Sequence, residues 1–224
     1  MAGNGLAERP RQSVASAHAA RLAAAGSACH PYVEDLAALG SPTLARDLDD
    51  LVHLLCSLYG RHPGLVDLAV TLSPAGEVHD WLSDAANAFE RERLYLVRLT
   101  AAVGPLPSTP GNAETEAALV AQRHALETLA QSERAGCSLG ACTALIADWR
   151  SIRPLLDRAA VRVGVEPPAS ALPDEASIAD VLERCGSVSP AAERAIRFGA
   201  EQLLLQHRAL FDLLEARCDA REGF

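Results

Sequence analysis

The chain has 224 residues, 49% hydrophobic and 4% aromatic, with 43 alanines, no lysine, 20 arginines and a net charge of −9. That length is one domain's, and the apolar content excludes a disordered chain. The acidic balance argues against a nucleic-acid binder, which needs a basic face, and no apolar run approaches the twenty residues of a membrane span.

Residues 1–12 read as a disordered N-terminus and 13–221 as a single helical domain. The alanine-rich stretch 13–25 is interrupted by His18 and Arg21, so it reads as an amphipathic helix and not as a signal peptide. Gly26-Ser27-Ala28-Cys29 lacks the leucine of a lipoprotein cleavage site, and without a targeting signal the cytoplasm is expected. Further helices are predicted over 32–39, 42–60, 64–72, 75–103, 112–135, 138–163 and 190–219, with a short turn of helix at 178–185. Ser41-Pro42, Ser73-Pro74 and Ser189-Pro190 supply capping serines followed by proline, whose φ is already helical. Ser177-x-x-Asp180 has the form of a capping box. Gly60, Gly104, Gly136, Gly164 and Gly186 follow helical runs, and alternating strand patterns are nearly absent.

Four of these helices are long, roughly 35–45 Å at 1.5 Å per residue, and short connections favour antiparallel neighbours. The expected fold is therefore all-α: an antiparallel bundle of four long helices with shorter N-terminal helices packed on it. Gly136-Cys137-Ser138-Leu139-Gly140 reads as a tight turn in preference to a bend in one very long helix. Pro154 predicts a kink near Asp148–Arg150.

Chemistry in such a bundle rests on polar residues that fall on apolar stripes. Glu92 shares a heptad line with Val78, Ala85 and Leu99; Glu133 shares one with Leu119 and Leu126. Asp148 interrupts Ala141, Leu145, Ile152, Leu155 and Ala159. His207 sits in the middle of Ile196, Ala200, Leu204, Phe211, Leu214 and Cys218. Glu92, Glu133, Asp148 and His207 could hold iron or manganese, since two divalent ions need several anionic oxygens and histidines. The paired Glu-x-x-His signature is missing, however; only Asp50-x-x-His53 and a reversed His124-x-x-Glu127 occur. The competing reading is an internal ion-pair network with nearby arginines, and a core histidine satisfied by its neighbours.

Other sites have weaker support. The six cysteines include no C-x-x-C, so they read as small core residues and not as zinc ligands or a disulfide framework. Cys137 or Cys142 with His124 has no nucleophile–base spacing. There is no G-x-S-x-G, P-loop or G-x-G-x-x-G, and the arginines are dispersed. Trp81, Trp149, His207 and Phe211 could line a pocket for a small apolar ligand, and flat alanine-rich faces could form a homodimer.

Arg61-His62-Pro63-Gly64, the loop from Gly104 to Gly111, Gln122 to Glu127 with Ser132-Glu133-Arg134, and Asp148-Trp149 carry a resemblance. Over roughly residues 44–160 the chain resembles an uncharacterised alphaproteobacterial family of unknown function. The resemblance implies a bacterial helical protein and brings no activity with it. In outline the layout is also similar to ferritin-like and haem-oxygenase-like bundles, without a motif of either. The function expected is non-catalytic: binding an apolar ligand or self-association, with a metal-dependent oxidoreductase as the alternative. No cofactor is expected under the first reading.

Overall fold

The computed structural model describes residues 12–38 and 43–222. The chain is all-α, and the described residues contain no strand. The helices are α1 (Val14–Ala25), α2 (Pro31–Ala37), α3 (Leu44–Tyr59), α4 (Leu65–Leu72), α5 (Glu77–Val103), α6 (Asn112–Ala130), α7 (Cys137–Arg162), α8 (Glu175–Gly186) and α9 (Pro190–Glu222). A single 3-10 turn, Ser27–Cys29, joins α1 to α2.

The capping serines divide three ways. Ser189 caps α9 as expected, its hydroxyl accepting from the Ala192 amide at 3.1 Å. Ser73 instead ends α4, and α5 begins only after Gly76, whose φ of +145° suits glycine. Ser41-Pro42 lies outside the described residues. At α8 the cap is Asp174, which accepts from the Ser177 amide at 2.8 Å, so this helix starts three residues before the sequence placed it. The segment 131–136 is a turn, closed by Gly136 in the left-handed region, and α6 and α7 are separate helices.

α7 is the axis of the molecule. Its residues from Leu139 to Ile146 are all buried, and α3, α5, α6, α8 and α9 pack around it. Its longest interface is with α9, and small residues make that interface. A Cβ on Gly140 would land on the Ile196 carbonyl, and one on Gly199 on the Cys137 carbonyl, so the two backbones touch directly. Alanine at 141, 144, 195 and 200 keeps the remaining separation short.

The antiparallel arrangement expected of the long helices needs correction. Cys137 and Gly140 lie beside Ile196 and Gly199, and Asp148 lies beside His207, so α7 and α9 run parallel. Phe89 meets Trp149, Glu92 meets Arg153 and Tyr95 meets Asp157, so α5 is parallel to α7, as alternate helices of the expected bundle are, and the departure lies in α9. The return between α7 and α9 is made by residues 163–174 and by α8. That strip runs back along α7, where Arg153 donates to the Pro168 carbonyl (2.5 Å) and Arg150 to that of Pro173. Twelve extended residues reach about 40 Å, enough to retrace the helix. α5 and α6 are held apart by α3 and α4, each of which contacts both. α3 is thus a core element, not a cover: Leu48, Leu51, Leu55 and Leu58 form its buried stripe, with Val52 and Tyr59.

Candidate functional site

Among the polar sets that the described residues form inside this bundle, three bear on the predicted positions. The most enclosed lies at the middle of α7 and α9. The Asp148 carboxylate accepts from His207 Nδ1 at 2.5 Å, from the Ser27 hydroxyl at 2.5 Å and from the Ser27 amide at 2.7 Å. On the far side of the imidazole, Tyr59 Oη lies 2.6 Å from His207 Nε2. All four residues are buried. Burial opposes the Asp148 charge, but the hydrogen bonds from His207 and Ser27 outweigh it and hold the carboxyl below its ordinary range. Burial, with the Asp148 charge nearby, raises the Tyr59 phenol far above its usual value, so it keeps its proton. One arrangement gives every hydrogen an acceptor: Tyr59 O–H donates to Nε2, and Nδ1–H donates to Asp148. This is a relay in form, and its side chains are enclosed in the interior.

The second set lies across the Trp149 ring. Trp149 packs edge-on against Tyr59 and Phe89, with centroids 5.5 and 5.0 Å away. Its indole N–H donates to Glu92 at 3.1 Å. Arg153 donates to the same carboxylate at 2.7 and 2.9 Å, to Asp157 at 2.7 Å, and stacks over Tyr95. The third set ties the end of α9 to α3 and to the 104–111 loop. Arg217 pairs with Asp50 at 2.9 Å and donates to Asn112, Thr115 and Thr109; Arg221 pairs with Asp47 and Asp50.

The proposed metal ligands do not converge. Asp148 and His207 meet each other, Glu92 is taken by Arg153 and Trp149, and Glu133 is exposed on the 131–136 turn. Glu133 falls outside the core because α6 stops at Ala130, five residues short of the predicted end. His53 Nε2–H donates to the Gly104 carbonyl at 2.9 Å, while Asp49 pairs with Arg162. Among the described residues, one group brings three potential ligand atoms within 4.8 Å of one another: His30, Asp212 and Glu215. There, His30 Nδ1 accepts from the Tyr32 amide, so the proton sits on Nε2, which faces Asp212 at 3.0 Å. A metal would need that nitrogen bare. Cys137 and Cys142 are buried, and His124 is exposed. Burial, with Asp67 and Cys137 adding to it, holds the Cys142 thiol well above its ordinary range.

The four aromatic and histidine residues expected around a ligand do not surround an opening either. Trp149, His207 and Phe211 are fully packed, and Trp81 stands apart from them, its N–H bonded to Ser177 at 2.9 Å. The parallel docking of α7 on α9 closes the space that these side chains would have lined. Open space lies instead at the end of the molecule where α5 and α7 begin. A cleft of about 710 Å³ runs between the α4–α5 connection, the 131–136 turn and α8. Leu72, Val78, Leu139, Val181 and Val188 give it an apolar wall, with Glu77 and Arg184 facing each other at 3.5 Å across its rim. Leu72 and Val188 are 57% and 78% exposed. A more polar groove of about 550 Å³ between α6 and α9 meets it at Gln131, Ser132 and Arg134, where Arg134 stacks on Phe198.

A family of unknown function, DUF6975, matches residues 22–222. The chain belongs to that family. The match takes in nearly all of the helical domain, well beyond the 44–160 stretch that carried the resemblance, and includes Ser27, Tyr59, Asp148 and His207. No curated protein and no solved structure matches the chain. Among the described residues no helix is long and apolar enough to cross a membrane.

Sequence reasoning found Asp148 and His207 by their position on stripes, and missed their partners. Tyr59 closes the buried stripe of α3, and nothing in the sequence marks its hydroxyl as a partner of His207. Ser27 carries no sequence signal, because its role depends on a 3-10 turn that docks over α7. Arg153 is in helical register with Trp149, but its pairing with Glu92 follows from the parallel α5–α7 contact.

Proposed function

We propose that the chain is a non-catalytic binding protein that takes a small apolar ligand in the cleft between the α4–α5 connection, the 131–136 turn and α8. The observation that carries this reading is the cleft itself. Its volume of about 710 Å³ lies within the range of small-molecule sites, and its wall is apolar with a few polar groups at the rim. The residues best suited to acid–base chemistry, Asp148, His207 and Tyr59, are spent on one another in the interior, which supports a binding role over a catalytic one.

Titration with the fluorescent probe 1-anilinonaphthalene-8-sulfonate tests it. One saturable site per chain is expected, and the double substitution Leu72→Asp with Val188→Asp weakens it at least tenfold, equivalent to about 1.4 kcal/mol. Both side chains are largely exposed, so the fold tolerates the change. Absence of saturable binding, or unchanged affinity in the double variant, overturns the reading. A concentration-dependent dimer that these substitutions dissociate would assign the face to a second copy and overturn it too.

A further inference from the structure

α1 is docked on α7, α8 and α9 around a residue that does not suit its place. His18 is 4% exposed, and neither ring nitrogen has a hydrogen-bond partner among the described residues. A neutral imidazole carries one donor and one acceptor, and sealing both without partners opposes docking. The rest of the buried face offers little to compensate. Ala15, Ala19 and Leu22 flank His18 along a cleft of about 230 Å³ against α7 and α8, and a second cleft of about 300 Å³ lies on the α9 side. The polar contacts that hold α1 are at its edges: the Ala15 amide donates to Glu183 at 2.9 Å, and Arg21 pairs with Glu201 at 2.9 Å.

The charged groups that line the two clefts beside His18 or hold the edges of α1 come from every neighbour: Arg21 on α1 itself, Arg150 on α7, Glu175 and Glu183 on α8, and Glu193, Arg197 and Glu201 on α9. None of them hydrogen-bonds the imidazole. Burial, with the Arg21 charge adding to it, pushes the ring down from 6.5 to about 4.

We propose that α1 is an acid-released clamp, a docked helix that protonation of its sealed histidine detaches from α7, α8 and α9. The sign follows from linkage. The folded value lies below the free one, so docking is at full strength above pH 6.5 and weakens progressively down to about pH 4. Between pH 7 and pH 5 the opening constant of α1 rises about twenty-fold. Glu183 also grips α1, and hydrogen bonds from Ser13 and the Ala15 amide hold its carboxyl below the usual range. Its grip is complete above about pH 4.5 and fades as pH falls through the folded value, so it is unchanged between pH 7 and pH 5.

Release has a direct route to the binding face. α8 turns Ile178, Ala179 and Leu182 toward α1, and Val181, Arg184 and Cys185 toward the large cleft. Freeing one face of α8 loosens the cleft wall on the other. That link rests on the binding reading above; the release of α1 does not.

Amide hydrogen exchange on the full chain at pH 7 and pH 5, corrected for intrinsic rates, tests the clamp. Opening of α1 measured relative to α7 rises about twenty-fold. In His18→Leu that rise disappears. A proton NMR titration of the His18 ring in the unmodified chain gives an independent reading, with a midpoint below 5. A change in the α1-to-α7 ratio of less than threefold, the same change in His18→Leu, or a ring midpoint at 6 or above overturns the proposal. If His18→Leu does not dock α1, the two measurements on the unmodified chain decide. Loss of the fluorescent-probe site alone leaves these readouts unaffected, so the two proposals fail separately.

Discussion

Replacing Asp148 with asparagine exchanges one carboxylate oxygen for an NH2 group in the most enclosed part of the molecule. The carboxylate accepts three hydrogen bonds, two at 2.5 Å and one at 2.7 Å, and each is charge-assisted. An amide cannot keep all three. Its NH2 group must face either the Ser27 amide, a donor, or His207 Nδ1. In the second case the imidazole changes tautomer, and the Tyr59 hydrogen loses its acceptor. Turning three charge-assisted bonds into neutral ones costs about 1 kcal/mol each, and the orphaned phenol adds about 1–2 kcal/mol. Relief from burying a charge returns part of this, so the expected loss is about 3 kcal/mol. Urea denaturation reads it as a lower midpoint at constant slope. Tyr59→Phe, which leaves Nε2 without its donor, costs about 1 kcal/mol. The pH dependence has a definite sign. The Asp148 carboxyl is held low in the folded chain, so its contribution is present above about pH 4 and lost as pH falls through the folded value. The gap between the unmodified chain and Asp148→Asn therefore narrows in acid. A loss under 0.5 kcal/mol, or a gap that widens in acid, would refute this account of the buried relay.

The remaining expectations follow from the same packing. Gly199→Ala drives a methyl group into the Cys137 carbonyl and costs about 1–3 kcal/mol or more, read as a fall in Tm. Arg153→Ala strands Glu92 in the interior and costs about 3–5 kcal/mol, whereas Glu133→Ala, on the exposed turn, stays within about 0.5 kcal/mol. Both are read from denaturant midpoints, and equal effects at the two sites would contradict the placement of these acids. Elemental analysis after expression with ample iron and manganese gives much less than one metal per chain, because Glu92, Glu133, Asp148 and His207 do not share a site; a stoichiometric metal would contradict that.

The sequence made the helices legible because punctuation and apolar period agree over long runs. The long helix 75–103 differs from α5 by two residues at its start, and 138–163 from α7 by one at each end. Boundaries failed where two signals competed. Ser73-Pro74 looked like a start, but Gly76 takes a backbone conformation that ends the connection later. Ser177 looked like a cap, but its hydroxyl serves Trp81, and Asp174 caps α8 instead. The larger miss was direction. Short connections imply antiparallel neighbours, and the sequence predicts only a short turn of helix at 178–185, where α8 stands. Its twelve residues, with the extended strip before them, return the chain along α7 and make α9 parallel to it. That reversal fixes which polar groups meet. Stripe positions identify Asp148 and His207 as inward residues, but only the parallel register sets one against the other. The apolar cleft was illegible for a related reason: its wall comes from helix ends and turns, where periodicity carries no information.

The binding reading is tested most directly by chemical-shift mapping of 1-anilinonaphthalene-8-sulfonate on the labelled protein. The account predicts perturbations confined to one end of the bundle, around Leu72, Val78, Leu139, Val181 and Val188. Perturbations centred on the 550 Å³ groove at Phe198 and Gln202, or scattered over the surface without saturation, would contradict it.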